Sequence, residues 1–327
     1  MATQLNSAPH EPTVATLSGS SLSARLRRLL LATRPAFAPA SLAPVLVGSA
    51  WGAHVAGQCD WGAATLALLA TVCVHFGANV LNDVADDMSG ADRGNDGRIF
   101  PYTGGSRFIQ NGVLTAREMT VWGATLLGIA AVLGAMLAAE RGPGVIVLGL
   151  IGVALAVAYS LPRAQLAARG LGELAIAIAF GLLPVTGAAW LQSGRIDAGS
   201  LLISVPVGLW VASILLMNEV PDREADARAG KATLVVRWGV PATRRLYLGL
   251  HAGASAALLL AATGGLLPLW AAFLPLVLLP AAWRAARAIR EPHERLALTR
   301  SIQTTLAVQM AGSALLLAAV LWSILVR

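Results

Sequence analysis

Two short acidic phrases hold the residue types that could do chemistry, NVLNDVADD from Asn79 to Asp87 and NEVPDREAD from Asn218 to Asp226. In each, Asn, Asp and Asp recur four residues apart, as Asn79, Asp83 and Asp87 and as Asn218, Asp222 and Asp226. A helix carrying either phrase stacks those side chains along one face. Carboxylate and amide oxygens are hard ligands that suit Mg²⁺, which takes octahedral oxygen coordination and leaves part of its shell to water or substrate phosphate. No His or Cys stands at ligand spacing beside them, which argues against zinc. Cations are interleaved with the acids: Arg93, Arg98, Arg107, Arg223, Arg228 and Lys231. Such alternation fits surface ion pairing, and it also fits a diphosphate, whose oxygens a metal neutralises and whose leaving charge cations stabilise.

These phrases lie in a chain built for lipid. Of 327 residues, 56% are hydrophobic and 13% charged, with a mean hydropathy of +0.68, against about 25% charged residues in a soluble domain. Crossing about 30 Å of hydrocarbon takes roughly 20 apolar residues. Stretches of that kind lie at about 36–56, 61–83, 115–139, 143–161, 171–193, 198–219, 242–264, 267–285 and 302–325. With the N-terminus inside, all of the 24 Lys and Arg except Arg141, Arg195 and Arg327 fall on the inner side, as the positive-inside rule requires. Both acidic phrases are then cytoplasmic. The net charge of +7 suits anionic lipid headgroups, and no nucleic-acid partner is expected. Nine of the 17 acids lie in or just after the phrases, so the average charge hides an acidic centre. Carboxylates beside membrane-spanning segments are costly there, which makes a site the default reading.

The phrases close the second and sixth predicted helices, which suggests two parallel four-helix halves, about 36–161 and 171–285, followed by a ninth helix. Polar loops follow each phrase, from about Gly90 to Thr115 and from about Gly230 to Pro241, and loops of this length beside charged groups are more often lids than spacers. Gly90 is placed to stop its helix. Pro221 is expected to end the sixth helix near Asn218 and start a short new one. Residues 1–20 are Ser-, Thr- and Pro-containing with no apolar core and are expected to be a disordered tail, with a single transmembrane domain over 21–327. Cys59 and Cys73 are expected to be packing residues.

The spacing N-x-x-x-D-x-x-x-D in the first phrase and D-x-x-x-D in the second resembles the paired signatures of the UbiA superfamily of intramembrane aromatic prenyltransferases. RPAFAPASLAPVLVGSA from Arg34, NDVADDMSGAD from Asn82, GGSRFIQNGVLT from Gly104, RGLGE from Arg169 and DREADARAGKATLVVRWG from Asp222 are similar to its 1,4-dihydroxy-2-naphthoate polyprenyltransferase branch. The resemblance implies an all-α integral membrane protein, nine transmembrane helices around a central cavity. It implies multi-pass placement in a bacterial-type inner membrane, with the active site on the cytoplasmic side. It further implies Mg²⁺, two ions, and transfer of a polyprenyl group from polyprenyl diphosphate to an aromatic acceptor, with membrane lipid as surroundings. The acceptor indicated is 1,4-dihydroxy-2-naphthoate, on the route to menaquinone, with hydroxybenzoate or another quinone precursor as the alternative.

Carried over residue by residue, the resemblance makes Asn79, Asp83, Asp222 and Asp226 the metal ligands. The superfamily spacing adds Asp87 and the naphthoate branch adds Asp86, and this chain has both. Asp92 matches a further acid of the branch, and Asn82 and Asn218 would orient the acids. Arg223, Arg228 and Lys231 are candidate diphosphate contacts, with Arg107 a further one. Tyr159 falls where the family has a substrate-side Tyr, although an interfacial aromatic fits there equally. His75 shares the helical face of Asn79 and Asp83 and reads as a packing residue before a cavity one. The rival class is an ion-coupled transporter, which also uses intramembrane acids in repeated halves. Against it, both phrases lie at one membrane face and no acid marks a path across.

Overall fold

The computed structural model describes residues 10–90, 95–160, 164–290 and 294–326, and Asp92, Arg93 and Arg163 lie outside them. Every long element is helical. A short amphipathic helix, α1 (Leu22–Ala32), is capped by Ser21 Oγ, which accepts from the Ala24 N–H. There follow α2 (Pro39–Ala56), α3 (Trp61–Ser89), α4 (Ala116–Arg141), α5 (Gly144–Ser160), α6 (Gly172–Ala177) and α7 (Leu183–Ser193). The chain continues through α8 (Ala198–Arg228), α9 (Leu234–Thr263), α10 (Leu274–Ala286) and α11 (Arg295–Leu325). Among the described residues eight helical stretches are long and apolar enough to cross a membrane, with α6 and α7 acting as one stretch over Gly172–Ser193. The 17-residue α5 is apolar but shorter than these. Large side chains such as Val132, Leu150, Val153, Leu276 and Val277 are exposed on the outer helices, which identifies a lipid-facing surface and a multi-pass membrane protein.

The boundaries have local causes. Asp60 caps α3 by accepting from the Ala63 N–H at 3.0 Å, and Thr115 with Glu118 forms a reciprocal capping box at the start of α4. Gly90 ends α3 in the left-handed conformation at φ 79°, as its position predicted. The break expected at Pro221 does not occur. Helix α8 runs unbroken through both Pro206 and Pro221. A proline removes one helical donor, and packed neighbours within a membrane bundle absorb that loss. Pro221 is itself buried. The second loop is also shorter than expected, because Thr233 caps a helix that begins at Leu234. The break comes inside α9, at Gly239 with φ 72°, and Pro241 sits at the restart.

Helices α3 and α4 pack along each other, as do α8 and α9, while α2 lies against α7 and α11. Between α6 and α7 one wide π-type turn spans Ile178–Leu182. Here α8 approaches so closely that a Cβ on Gly208 would stand 2.7 Å from the Ala177 carbonyl oxygen, and one on Gly181 would collide with Gly208. Small residues are what allow membrane helices to meet at this separation. Residues 10–20, predicted as tail, carry specific contacts: Leu17 is buried and the Arg28 guanidinium donates to the Leu17 and Gly19 carbonyls at 3.0 and 2.8 Å.

Candidate active site

The C-terminal halves of α3 and α8 face each other across a cavity of about 640 Å³. Its polar wall on α3 is Asn79, Asn82 and Asp86, and on α8 Asn218, Glu219, Asp222 and Asp226. Asn95, Thr103 and Gly104 line it from the first loop, Lys231 and Thr233 from the second, and Tyr159 from the end of α5. Deeper in, Ile176, Phe180, Val211, Ile214 and Leu215 make an apolar wall. The two phrases therefore belong to one cavity, polar at one end and greasy at the other.

Lys231 joins them. Its ammonium lies 3.3 Å from Asp226 Oδ1 and 3.8 Å from Asp86 Oδ1. On the α3 side the Asn82 amide donates to Asp86 Oδ2 at 2.8 Å. On the α8 side the Asn95 amide donates to Asp222 Oδ1 at 2.8 Å. Asn79 Nδ2 contacts the Thr33 carbonyl and His75 Nε2, both at 3.1 Å. Its amide nitrogen is thereby engaged, which leaves its oxygen as the group to offer a ligand. His75 Nδ1 meets Ser41 Oγ at 2.7 Å. His75 lines the cavity, so it is both a satisfied packing residue and part of the wall.

The register that drew attention to the first phrase, Asn79, Asp83 and Asp87, is not the one the cavity uses on α3. Asp83 and Asp87 are absent from the lining. Asp83 is buried and accepts from the Ser106 N–H at 3.0 Å through Oδ2, while Asp87 accepts from Gln110 Nε2 at 3.2 Å. One step along a helix turns a side chain by about 100°, so the face of Asn79, Asn82 and Asp86 meets the cavity and the face of Asp83 and Asp87 anchors the Gly-rich loop. The same rotation separates the cations. Asp222 and Asp226 face inward, whereas Arg223 lies off the lining and Arg228 is exposed. Arg107 is buried in the first loop at φ 65°, its Nε 3.9 Å from Glu11 Oε2. Of the four predicted diphosphate contacts, Lys231 is the one at the cavity. Asp92 lies outside the described residues.

Arg34, Asn95 and Glu219 are among the cavity residues that went unrecognised as such in the sequence. Arg34 holds a left-handed φ of 57°, a conformation a non-glycine residue keeps only where its surroundings over-determine it. Its guanidinium donates to the Pro101 and Tyr102 carbonyls at 3.2 and 3.0 Å and lies 4.7 Å from the Phe37 ring centre. Its position at the head of RPAFAP was the available signal. Asn95 sits in a loop where no helical period could place it.

The donors suit a hard cation. Asp83 Oδ1, Asn95 Oδ1, Asn218 Oδ1 and Glu219 Oε2 are buried oxygens without a hydrogen-bond partner, and such atoms carry a desolvation cost unless something else satisfies them. Among the described residues no three of His, Cys, Asp and Glu converge closely enough to hold an ion unaided. That fits a metal whose remaining positions are filled by substrate oxygen and water.

The fold and the cavity define a multi-pass helical membrane protein with an oxygen-rich site between two helices. The chain belongs to the UbiA prenyltransferase family, which it matches over residues 41–302. It is 35% identical over 219 residues to the 1,4-dihydroxy-2-naphthoate octaprenyltransferase of Mycobacterium tuberculosis, covering 67% of this chain and 72% of that one. It is 31% identical to the 2-carboxy-1,4-naphthoquinone phytyltransferase of Synechocystis, covering 68% and 70%. Among solved structures, a UbiA homolog from Archaeoglobus fulgidus bound to DMAPP and Mg²⁺ superposes with a TM-score of 0.62 at 16% identity, covering 89% of this chain and 99% of that one.

Proposed function

We propose that this protein transfers a polyprenyl group from polyprenyl diphosphate to 1,4-dihydroxy-2-naphthoate, in a Mg²⁺-dependent reaction of menaquinone synthesis. The observation that carries the reading is that Lys231 joins Asp86 of α3 to Asp226 of α8, with Asp222 on the same lining, at the polar end of a cavity whose other end is apolar. A polyprenyl diphosphate has the same polarity along its length. Family membership and two relatives named for naphthoate or naphthoquinone acceptors support the acceptor.

Asn79, Asp86, Asp222 and Asp226 would hold Mg²⁺, two ions in all, with Asn82 and Asn218 orienting the set. Mg²⁺ held there would neutralise charge on the diphosphate and so favour its departure. Lys231 adds a mobile positive charge where the diphosphate leaves. The apolar wall of Phe180, Val211 and Leu215 seats the chain and keeps water from the allylic carbon. The allylic C–O bond breaks and an electron-rich ring carbon supplies the pair for the new C–C bond. Loss of the ring carboxyl as CO₂ then restores aromaticity. The reading includes nine transmembrane segments, counting α5, with the N-terminus and the cavity on the cytoplasmic side of a bacterial-type inner membrane. The charge distribution supports that orientation.

The test is incubation of the purified protein with Mg²⁺, labelled polyprenyl diphosphate and each candidate acceptor in turn. Prenylated, decarboxylated naphthoquinol is the expected product, and a hydroxybenzoate product in its place would move the acceptor. Ion flux in proteoliposomes without diphosphate release would overturn the enzyme in favour of a transporter.

A further inference from the structure

The first loop is tied at both ends to parts of the chain far apart in sequence. At one end is Glu11, in the segment preceding α1. Its Oε1 receives both Nε and Nη2 of Arg98 at 2.8 Å. Its Oε2 lies 3.3 Å from the Asn111 amide and 3.9 Å from Arg107 Nε, and the Asn111 amide also donates to the Pro12 carbonyl at 2.8 Å. With that edge of the guanidinium held, Arg98 Nη1 donates to the Asn95 carbonyl at 2.7 Å. Arg295 clamps the Arg98 carbonyl at 2.6 Å. Asn95 then gives its side-chain amide to Asp222 Oδ1 at 2.8 Å. Gly97 lies so close to α8 that a Cβ there would stand 3.0 Å from the Pro221 carbonyl oxygen.

We infer that Glu11 is a positioning residue for the second acidic phrase, acting through Arg98 and Asn95 to fix the Asp222 carboxylate. The inference rests on the reading of Asp222 as a metal-holding group. Charge-assisted bonds of this length are the strong members of a network, and a carboxylate with one oxygen held presents the other in a fixed direction. Glu11 does not line the cavity. A merely structural Glu11 would staple the N-terminal segment and have no effect on what Asp222 binds.

The experiment uses the full chain in lipid nanodiscs, with Mn²⁺ and inorganic diphosphate as probe and the free Mn²⁺ resonance signal as readout. A direct outer-shell partner typically changes metal affinity by about 10–100-fold. Asn95→Ala is expected to weaken Mn²⁺ binding by about tenfold and the more remote Glu11→Ala by about three- to tenfold. The double variant is expected to bind no more weakly than Asn95→Ala alone, because the two act in series. Unchanged Mn²⁺ affinity in Glu11→Ala, or additive effects in the double variant, would overturn the inference. Glu11→Gln keeps the shape and removes the charge, and it carries the test if Glu11→Ala does not fold. A wild-type protein that binds no Mn²⁺ refutes the metal reading itself. A wild type that binds Mn²⁺ beside an indifferent Glu11→Ala refutes the relay alone.

Discussion

The Asn82 amide donates to Asp86 Oδ2 at 2.8 Å, and both side chains line the cavity. The neighbouring Asp87 turns away to Gln110. Two consecutive carboxylates of identical chemistry are thus assigned different work by 100° of helical rotation.

The first prediction separates them. Asp86→Ala is expected to lower kcat/KM by about 10²–10³-fold, the usual scale for removing one electrostatic group from a reaction centre. Asp87→Ala, which loses an anchor of the loop, is expected to cost less than about tenfold. Steady-state kinetics on both variants decide it, and the reverse order would return the metal to the face of Asp83 and Asp87.

Lys231 gives a second prediction. It contacts both Asp86 and Asp226 and is half-buried. Lys231→Met leaves Asp86 and Asp226 without their shared cation, and is expected to raise KM for the diphosphate substrate and lower kcat, together about 10²-fold in kcat/KM. Arg223→Met, off the lining, is expected to stay within about threefold. Equal losses would mean that the diphosphate reaches beyond the cavity described.

The third concerns pH. Burial raises the Glu11 carboxyl, but bonds from Arg98 and Asn111 and the charges of Arg98 and Arg107 outweigh it, so its pKa falls below the ordinary 4.5. A lowered carboxylate pKa stabilises the docked segment above the unfolded value and loses that contribution as pH falls through the folded one. Protease protection of residues 10–20 is therefore expected to persist from pH 7 to pH 5 and to fall only below 4.5. Release near pH 6 would contradict the ion pair.

The fourth tests the close packing of α8 against α6. Gly208→Leu forces a side chain against the Ala177 carbonyl and is expected to destabilise the bundle by about 1–3 kcal/mol. A Cβ on Gly128 of α4 meets nothing within 4 Å, and Gly128→Leu is expected to change stability by less than about 0.5 kcal/mol. Thermal unfolding in detergent compares the two.

Hydropathy alone located the eight helical stretches that are long and apolar enough to cross a membrane, while the ninth expected one, α5, is shorter; a lipid-facing helix must be apolar along its whole length whatever it packs against. The acidic phrases were legible for a related reason: charge in such a setting is costly, so its presence marks a site. Caps were legible where a single residue acts on its own turn, as at Gly90. Pro221 was misread because a proline breaks a helix only when nothing compensates the lost bond, and compensation comes from neighbours.

By itself, then, the sequence determined that this is a helical membrane protein with two oxygen-rich phrases of matching spacing. Only the tertiary structure decided which side of each phrase faces the cavity, that Lys231 and not Arg223 stands between them, and that Arg34, Asn95 and Glu219 complete the wall. A local pattern sets which residues share a helical face. The rotation of that face, and the loops folded over it, depend on packing between segments far apart in the chain.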